Sequence, residues 1–405
     1  MKRYIALIVF ITAVTSLFGA SPVDKFLRSK SVSANNTAVL VQDLQTGKVL
    51  ASHNTDKPLL PASIMKTVTI AGLLMEKGPD DRFHTLVYAD GPINGHTIEG
   101  DLLIVGGGDP TLGADCAPES ADIAEEIIAA LRHKGITTIN GNLRVDTSLY
   151  TGPACPPSWV AADLNESYGT GSHALNYKRN ASGSRAVKYP ETNFLRDLSS
   201  RLKGAGISVK GGNVVDNDGL TDIENASFLL DHMSDTYAEV MRSCMMRSDN
   251  LFAETLLRAF AMGRGKKGAT SAGAEEMLEY WDKLGVPVKG VTLIDGSGLS
   301  RSNRVTADFI NGILQTMGNN DDYASFMPLA GQEGTLSSFL KDTALDAYVA
   351  MKTGSMKGIQ CYAGYKLDEE FAPTHSIVII MNEIGQRGAA RKAAEDLLLD
   401  LFDGE

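Results

Sequence analysis

Several chemistries are excluded by what this sequence lacks. Its four cysteines, Cys116, Cys155, Cys244 and Cys361, include no Cys-x-x-Cys pair. The seven histidines are scattered, with no spacing that would gather metal ligands, so no metal and no cofactor is expected. Basic residues are outnumbered, 38 Lys+Arg against 49 Asp+Glu, which leaves a formal charge of −11 and argues against nucleic acid as a partner. No apolar run is long enough for a dependable membrane span, and the one near the start, Tyr4 to Phe18, is not followed by a lipidation cysteine, so no stable membrane anchor is expected. Gly106-Gly107-Gly108-Asp109-Pro110 is rich in glycine but lacks the lysine and the spacing of a phosphate-binding loop.

What is present begins with a leader. Met1-Lys2-Arg3, the apolar run and Gly19-Ala20-Ser21-Pro22 have the charge, length and small-residue ending of a secretory signal peptide over residues 1–20. Export to the periplasm or cell envelope follows. It also makes disulfides chemically accessible, and Cys116 with Cys155, which share one Pro/Gly-rich region, are the favoured pair. Cys244 and Cys361 lie in apolar segments and read as buried thiols.

The stretch Pro61-Ala62-Ser63-Ile64-Met65-Lys66 organises the remainder. The residues after it are apolar nearly all round until Gly78-Pro79, which reads as a buried helix opened by a first-turn proline. Ser63 and Lys66 are then three apart on one face. The unpaired amides and positive dipole end of a helix start favour an oxyanion. An apolar surround lowers a lysine pKa by desolvation, so that the amine can take a proton near neutrality. The spacing alone is weak, because Ser-x-x-Lys recurs at Ser200 and Ser338.

Around this stretch, Ala38–Gln42 and Val49–Ser52 read as a β-hairpin. Residues 80–235 differ in composition, with short strands, turns and a diverged repeat in which Leu131–Asn142 aligns with Leu202–Asn213; each copy is a helix, a glycine stop and a strand. From Thr236 the chain is helical again. The triplet Ser248-Asp249-Asn250 separates two helices, Asp295 to Arg301 is a glycine-rich loop, and Tyr348–Gly354, Ile359–Lys366 and His375–Met381 form an antiparallel meander before a last helix, Arg387–Leu401.

Ser-x-x-Lys, then Ser-Asp-Asn, then Lys-Thr-Gly is the motif order of penicillin-binding proteins and class A β-lactamases, and the latter two occur once each here. The chain most resembles the class C low-molecular-mass penicillin-binding proteins, the D-alanyl-D-alanine carboxypeptidase/endopeptidase family. Gly100-Asp101-Leu102, the Gly106–Leu112 segment, Ser248–Glu254, Asp295–Arg304, Gly331–Leu336 and Lys352-Thr353-Gly354 carry the resemblance. It implies an α/β (α+β) fold: a transpeptidase-like domain, residues 21–79 and 236–405, with an antiparallel sheet flanked by helices, and a mixed α/β domain, 80–235, inserted between the first and second motifs.

The resemblance also implies roles. Ser63 attacks the carbonyl between two D-alanines, Lys66 takes its proton, Ser248 relays a proton to the leaving amine, and Asn250 orients the substrate amide and Lys66. Lys352 meets the terminal carboxylate with Thr353 or Ser355, beside Gly354, and the backbone amides of Ser63 and Ser355 form an oxyanion hole. Asp109 and Arg301 are expected to grip the side-chain ammonium and carboxylate of a diaminopimelate stem, with Lys357 as a second cation. The expected partners are peptidoglycan stem peptides and, as covalent inhibitors, β-lactams; a homo-oligomer is left open. Two departures stand out: the chain after Asn180 is short, and Lys357 follows the Lys-Thr-Gly strand. Two rivals are a serine β-lactamase, for which the Glu-x-x-x-Asn segment is missing between the second and third motifs, and a non-catalytic β-lactam or cell-wall sensing module.

Overall fold

The computed structural model describes residues 20–115, 121–218 and 225–402. The leader lies outside these residues. So does Cys116, and with it the expected Cys116–Cys155 bridge; Cys155, Cys244 and Cys361 are free thiols, the last two fully buried.

An antiparallel sheet of five strands forms one half of the molecule, in the order Val349–Met356, Ile359–Leu367, Pro373–Asn382, Thr37–Asp43, Val49–His53. The N-terminal hairpin therefore joins the C-terminal meander, with Thr37 opposite Met381 and Asp43 opposite His375. Ile377–Met381 is apolar throughout because the sheet is covered on both faces. Ile377, Ile379 and Met381 pack with the C-terminal helix Arg387–Phe402 and Phe26 of the short first helix, Pro22–Leu27. Val378 and Ile380 face the other way, into the core built by helices Met65–Lys77, Tyr237–Arg247, Asn250–Gly263 and Ala307–Met317. The Met65–Lys77 helix is central to that core, buried continuously from Met65 to Leu74, as its all-round apolar sequence requires. Gly78, at φ 82°, ends it.

Residues 82–236 form the other half around a core of their own. Its larger sheet runs Asn213–Asp216, Leu143–Asp146, Asp101–Val105, Arg82–Asp90, Ser227–Thr236. The first three strands are parallel, with Leu102 beside Leu143 and Leu143 beside Asn213. Helices Ile123–His133 and Pro190–Gly204 supply Ile127, Leu131, Phe194 and Leu198 to the core beneath. The two-copy repeat gains a third rung here. Thr97–Ile98, Thr138–Ile139 and Ser208–Val209 stack in parallel in a smaller sheet, so the segment Thr97–Leu102 repeats the strand part of the unit without a helix before it.

The two halves are joined by an arm, residues 150–180, that leaves the second sheet and lies over the first half. Arg258 anchors its start: the buried guanidinium donates to the carbonyls of Thr151, Pro153 and Gly268. Further along, Trp159 Nε1 donates to Asp295 Oδ2 at 2.8 Å, and the Ser172 and Thr255 hydroxyls are 2.9 Å apart. The returning arm crosses the three-glycine loop. A Cβ on Gly106 would sit 2.6 Å from Ala174 O, and one on Gly107 only 1.7 Å from His84 O, so this is backbone packed directly on backbone. Gly107→Ala should therefore lower stability by roughly 1–3 kcal/mol, the ordinary range for overpacking, read as a fall in the thermal or denaturant midpoint. An unchanged midpoint would refute the close packing.

Candidate active site

The helix that carries Lys66 begins at Met65, not at Pro61. A 3₁₀ turn, Ala62-Ser63-Ile64, precedes it, and Ala62 adopts a left-handed φ of 47°. Two neighbours fix this turn. The glycine-rich loop approaches so closely that a Cβ on Gly298 would be 1.9 Å from Ala62 O, and the Lys-Thr-Gly strand approaches from the other side. Backbone strain of this kind persists only where surroundings over-determine it. Here it lifts Ser63, which is half-buried, off the fully buried stem of the helix.

Lys66 is 0% exposed, and its Nζ has three neighbours: Ser63 Oγ at 3.1 Å, Asn250 Oδ1 at 2.7 Å and Ser297 O at 2.9 Å. The orientation of the Asn250 amide is set by its other end, because Nδ2 donates to Tyr168 O at 2.8 Å. Asn250 Oδ1 and Ser297 O can only accept. A neutral amine gives one hydrogen to each and keeps its lone pair for the Ser63 hydroxyl. Burial pulls the Lys66 pKa below the ordinary lysine value of 10.5, against the opposing influence of Cys244, Asp249, Asp295 and Glu254. In its neutral form this amine can accept a proton from the serine.

Ser248 closes the helix Tyr237–Arg247 in the left-handed region, at φ 57° and ψ 39°, and Asp249 caps the following helix by accepting from Phe252 N. The turn between two helices expected from the sequence is thus formed, with Asn250 as the first helical residue. The glycine-rich loop is held by two buried acidic side chains. Asp295 accepts from the amides of Gly298 and Ser300 and from Asn303 Nδ2, and Glu254 Oε1 accepts from the amides of Gly296 and Ser297. Burial, reinforced by Asp295, pushes the Glu254 carboxyl up to about 8.

Lys352, Thr353, Gly354 and Ser355 lie on Val349–Met356, the edge strand of the first sheet. A Cβ on Gly354 would be 2.6 Å from Pro61 O and 3.1 Å from Ser63 N, so this strand lies against the serine turn with no side chain between them. Lys352 is 0% exposed and donates to Thr353 O at 2.7 Å; burial first, and the neighbouring Lys66 charge second, lower its pKa well below the ordinary value. Two ammoniums so placed repel, which favours a single proton between them. Thr353 Oγ1 meets Thr335 Oγ1 at 2.9 Å, and Ser355 is exposed.

Asp109 and Arg301 are not brought together. Asp109 is 0% exposed beneath the arm, accepts from the amide and hydroxyl of Thr111, and lies 3.9 Å from His232 Nε2. It faces the interior of the second half, where a substrate ammonium has no access. Its loop is drawn inward by the backbone packing of Gly106 and Gly107. Arg301 is exposed at the end of the glycine-rich loop, and Lys357 is exposed at the hairpin turn after Met356. Asp163 of the arm accepts from Tyr168 OH at 2.9 Å. Tyr168 is 49% exposed, and its carbonyl is the one that holds Asn250. The arm also meets the loop at Ser158, 2.7 Å from the Ser300 hydroxyl beside Arg301. The contributions of Ser297 and Tyr168 come from backbone carbonyls, which leave no side-chain signature in a sequence.

The family model of the D-Ala-D-Ala carboxypeptidase 3 (S13) family matches residues 20–183 and 175–400. The chain belongs to that family. Among S13 relatives, a D-alanyl-D-alanine carboxypeptidase of Actinomadura sp. (strain R39) is 26% identical, over 98% of this chain and 89% of its own length. A D-alanyl-D-alanine carboxypeptidase of Haemophilus influenzae is 23% identical over 84% of both chains. Penicillin-binding protein 4 of the same organism, solved by crystallography, superposes with a TM-score of 0.81 at 21% identity, covering 91% of this chain and 96% of its own. This S13 chain is the shorter one: its alignment with the Actinomadura enzyme runs over 494 residues against a length of 405, so the relative carries segments absent here. The family match divides at residues 175–183, beside the shortened stretch after Asn180.

Close approach at the S13 edge strand gives a test of the cleft. Gly354→Val should push the strand from the serine turn and reduce acylation by a β-lactam roughly 10²-fold, as small misplacements of reacting groups do, while the protein still unfolds cooperatively. Wild-type acylation in that variant would place the strand away from the nucleophile.

Proposed function

We propose that this protein is an exported serine-type D-alanyl-D-alanine carboxypeptidase and D,D-endopeptidase that acts on peptidoglycan stem peptides through an acyl-enzyme on Ser63 and is acylated by β-lactams. The observation that carries the reading is the three-way hold on Lys66 Nζ, two acceptor oxygens and one hydroxyl. The substrate lies along the outer edge of the strand Val349–Met356, extending the sheet by backbone pairing. Lys352 receives the terminal carboxylate, with Thr353 and Ser355 as hydrogen-bond donors. Gly354 keeps the strand close enough for the amides of Ser63 and Ser355 to share the carbonyl oxygen.

Ser63 Oγ attacks as Lys66 takes its proton, and the tetrahedral oxyanion forms against the two amides. Lys66 then carries an extra proton beside Lys352, a repulsion that favours passing it through Ser248 to the leaving amine. That amine is a terminal D-alanine in carboxypeptidase action and a cross-linking residue in endopeptidase action. Water enters by the reverse proton route and frees Ser63. Among the described residues no helix is long and apolar enough to cross a membrane, and the basic, apolar and small-residue leader is the reason for proposing export.

Penicillin treatment should leave one adduct, on the peptide containing Ser63, and Ser63→Ala should abolish it; mass spectrometry reads both. Acylation should fall as pH drops through the lowered pKa of Lys66, because only the neutral amine accepts a proton. Lys66→Arg, which cannot deprotonate, should lose about 10²–10⁴-fold in acylation rate, the usual worth of a general base. Labelling at Ser200 or Ser338 would sink the assignment. Rapid turnover of the penicillin adduct would make the enzyme a β-lactamase instead.

Asp163 and Arg301 are proposed to meet the charged side-chain terminus of a diaminopimelate stem, the role first expected of Asp109. Asp163→Ala and Arg301→Ala should lose turnover of diaminopimelate peptides and keep acylation by simple penicillins. Asp109→Ala should instead affect stability and both substrates together. Equal turnover of lysine-type stems by wild type would rule out this recognition.

A further inference from the structure

The arm reaches the Ser248-Asp249-Asn250 turn through one side chain, Arg179. Its Nε donates to Asp249 Oδ2 at 3.0 Å and its Nη2 donates to the same oxygen, while Asp115 Oδ1 lies 4.0 Å from Nη1. Asp249 is buried, so a guanidinium bound this way is a strong contact. The backbone that delivers it is unusual. Lys178, Arg179 and Asn180 all adopt left-handed conformations, at φ 50°, 55° and 50°. Left-handed geometry costs roughly 1–2 kcal/mol per residue with a Cβ, less for asparagine.

Neighbouring groups hold the turn in this state. Asn180 is fully buried; its Oδ1 accepts from Tyr177 N, and its Nδ2 donates to Gly171 O and Asn176 Oδ1. Asn176 in turn donates to the carbonyls of Gly108 and Asp109. The three-glycine loop therefore braces the left-handed turn. The outcome of that strain is a single guanidinium set against Asp249, whose other oxygen caps the Asn250 helix.

We propose that Arg179 is a positioning residue for acylation: braced by the left-handed turn, it fixes Asp249 and so sets Ser248 and Asn250 against Lys66. This rests on Ser63 and Lys66 being nucleophile and base. It has an electrostatic side as well. Lys66 faces Cys244 and Asp249 from the end of one helix and the turn after it, Glu254 from the next helix, Asp295 from the glycine-rich loop and Lys352 from the edge strand. Of the carboxylates among these, Asp249 is the one paired to Arg179. Arg179 screens its pull on the Lys66 proton.

The test compares the pH profile of penicillin G acylation in the full exported enzyme and in Arg179→Gln, Arg179→Lys, Asp249→Asn and the double variant Arg179→Gln/Asp249→Asn. Arg179→Gln should slow acylation roughly 10²-fold and move its acid limb to higher pH, because unscreened Asp249 favours protonated Lys66. Arg179→Lys should recover much of both. Asp249→Asn should move the limb to lower pH, and the double variant should lose the upward shift of Arg179→Gln. A limb at the wild-type position in Arg179→Gln, with or without a lower melting temperature, would overturn the proposal and leave Arg179 as a structural brace. Absence of any Ser63 adduct in wild type would overturn the underlying functional reading, and this proposal with it.

Discussion

A lysine amine shut away from water, with two oxygens that can only accept hydrogen bonds, is the constraint on which the rest depends. Water would restore the ordinary affinity of Lys66 for its proton, so the amine must stay buried and yet hold one face toward Ser63. The Met65–Lys77 helix does the burying, packed on all sides by other helices and the sheet. Asn250 Oδ1 and Ser297 O each accept a hydrogen from the amine. Each partner is fixed by something further out: Asn250 by the Tyr168 carbonyl, Ser297 by the Glu254 carboxyl that receives its amide. Remove any of these and the lone pair loses its direction.

The residues between the first and second motifs reach the surroundings of Lys66 through their arm. The sheets of the second half have a separate core and make none of the polar contacts with Lys66. Their arm, however, supplies the carbonyl on Asn250, the indole on Asp295, the guanidinium on Asp249 and the hydroxyl beside Ser300. The sheets act as a platform from which the arm is held at fixed height. The close backbone contact of Gly106 with Ala174 of the arm sets that height.

Much of this was legible in the sequence because it depends on side-chain type and period. The apolar run after Ser63, the return to helix at Thr236, the three C-terminal strands and the helix–glycine–strand repeat each correspond to an observed element. The three motifs were legible as chemistry because serine, lysine and asparagine carry it in their side chains. Asp109 was misread. Its place in the cleft was expected from the family resemblance, and sequence gives no sign that the three glycines before it serve close packing rather than flexibility. The start of the Lys66 helix was misplaced because Ala62 is left-handed for reasons outside its own segment. Ser297, Tyr168 and the turn at Arg179 act through backbone position, which composition and spacing do not encode.

Glu254 gives the fold a proton balance of its own. The carboxyl that receives the amides of Gly296 and Ser297 is raised from its ordinary value of 4.5 to about 8 by burial. Between those two values the folded chain holds a proton that the unfolded chain has released, so folding takes up a proton there. The group's contribution is fully present below the lower value and declines as pH rises through the upper one. In the proposed mechanism Lys66 imposes the opposite demand, since its amine must be neutral to accept from Ser63. Glu254 and Lys66 therefore respond to pH in opposite senses: the fold gains from a protonated carboxyl, and the proposed base from an unprotonated amine.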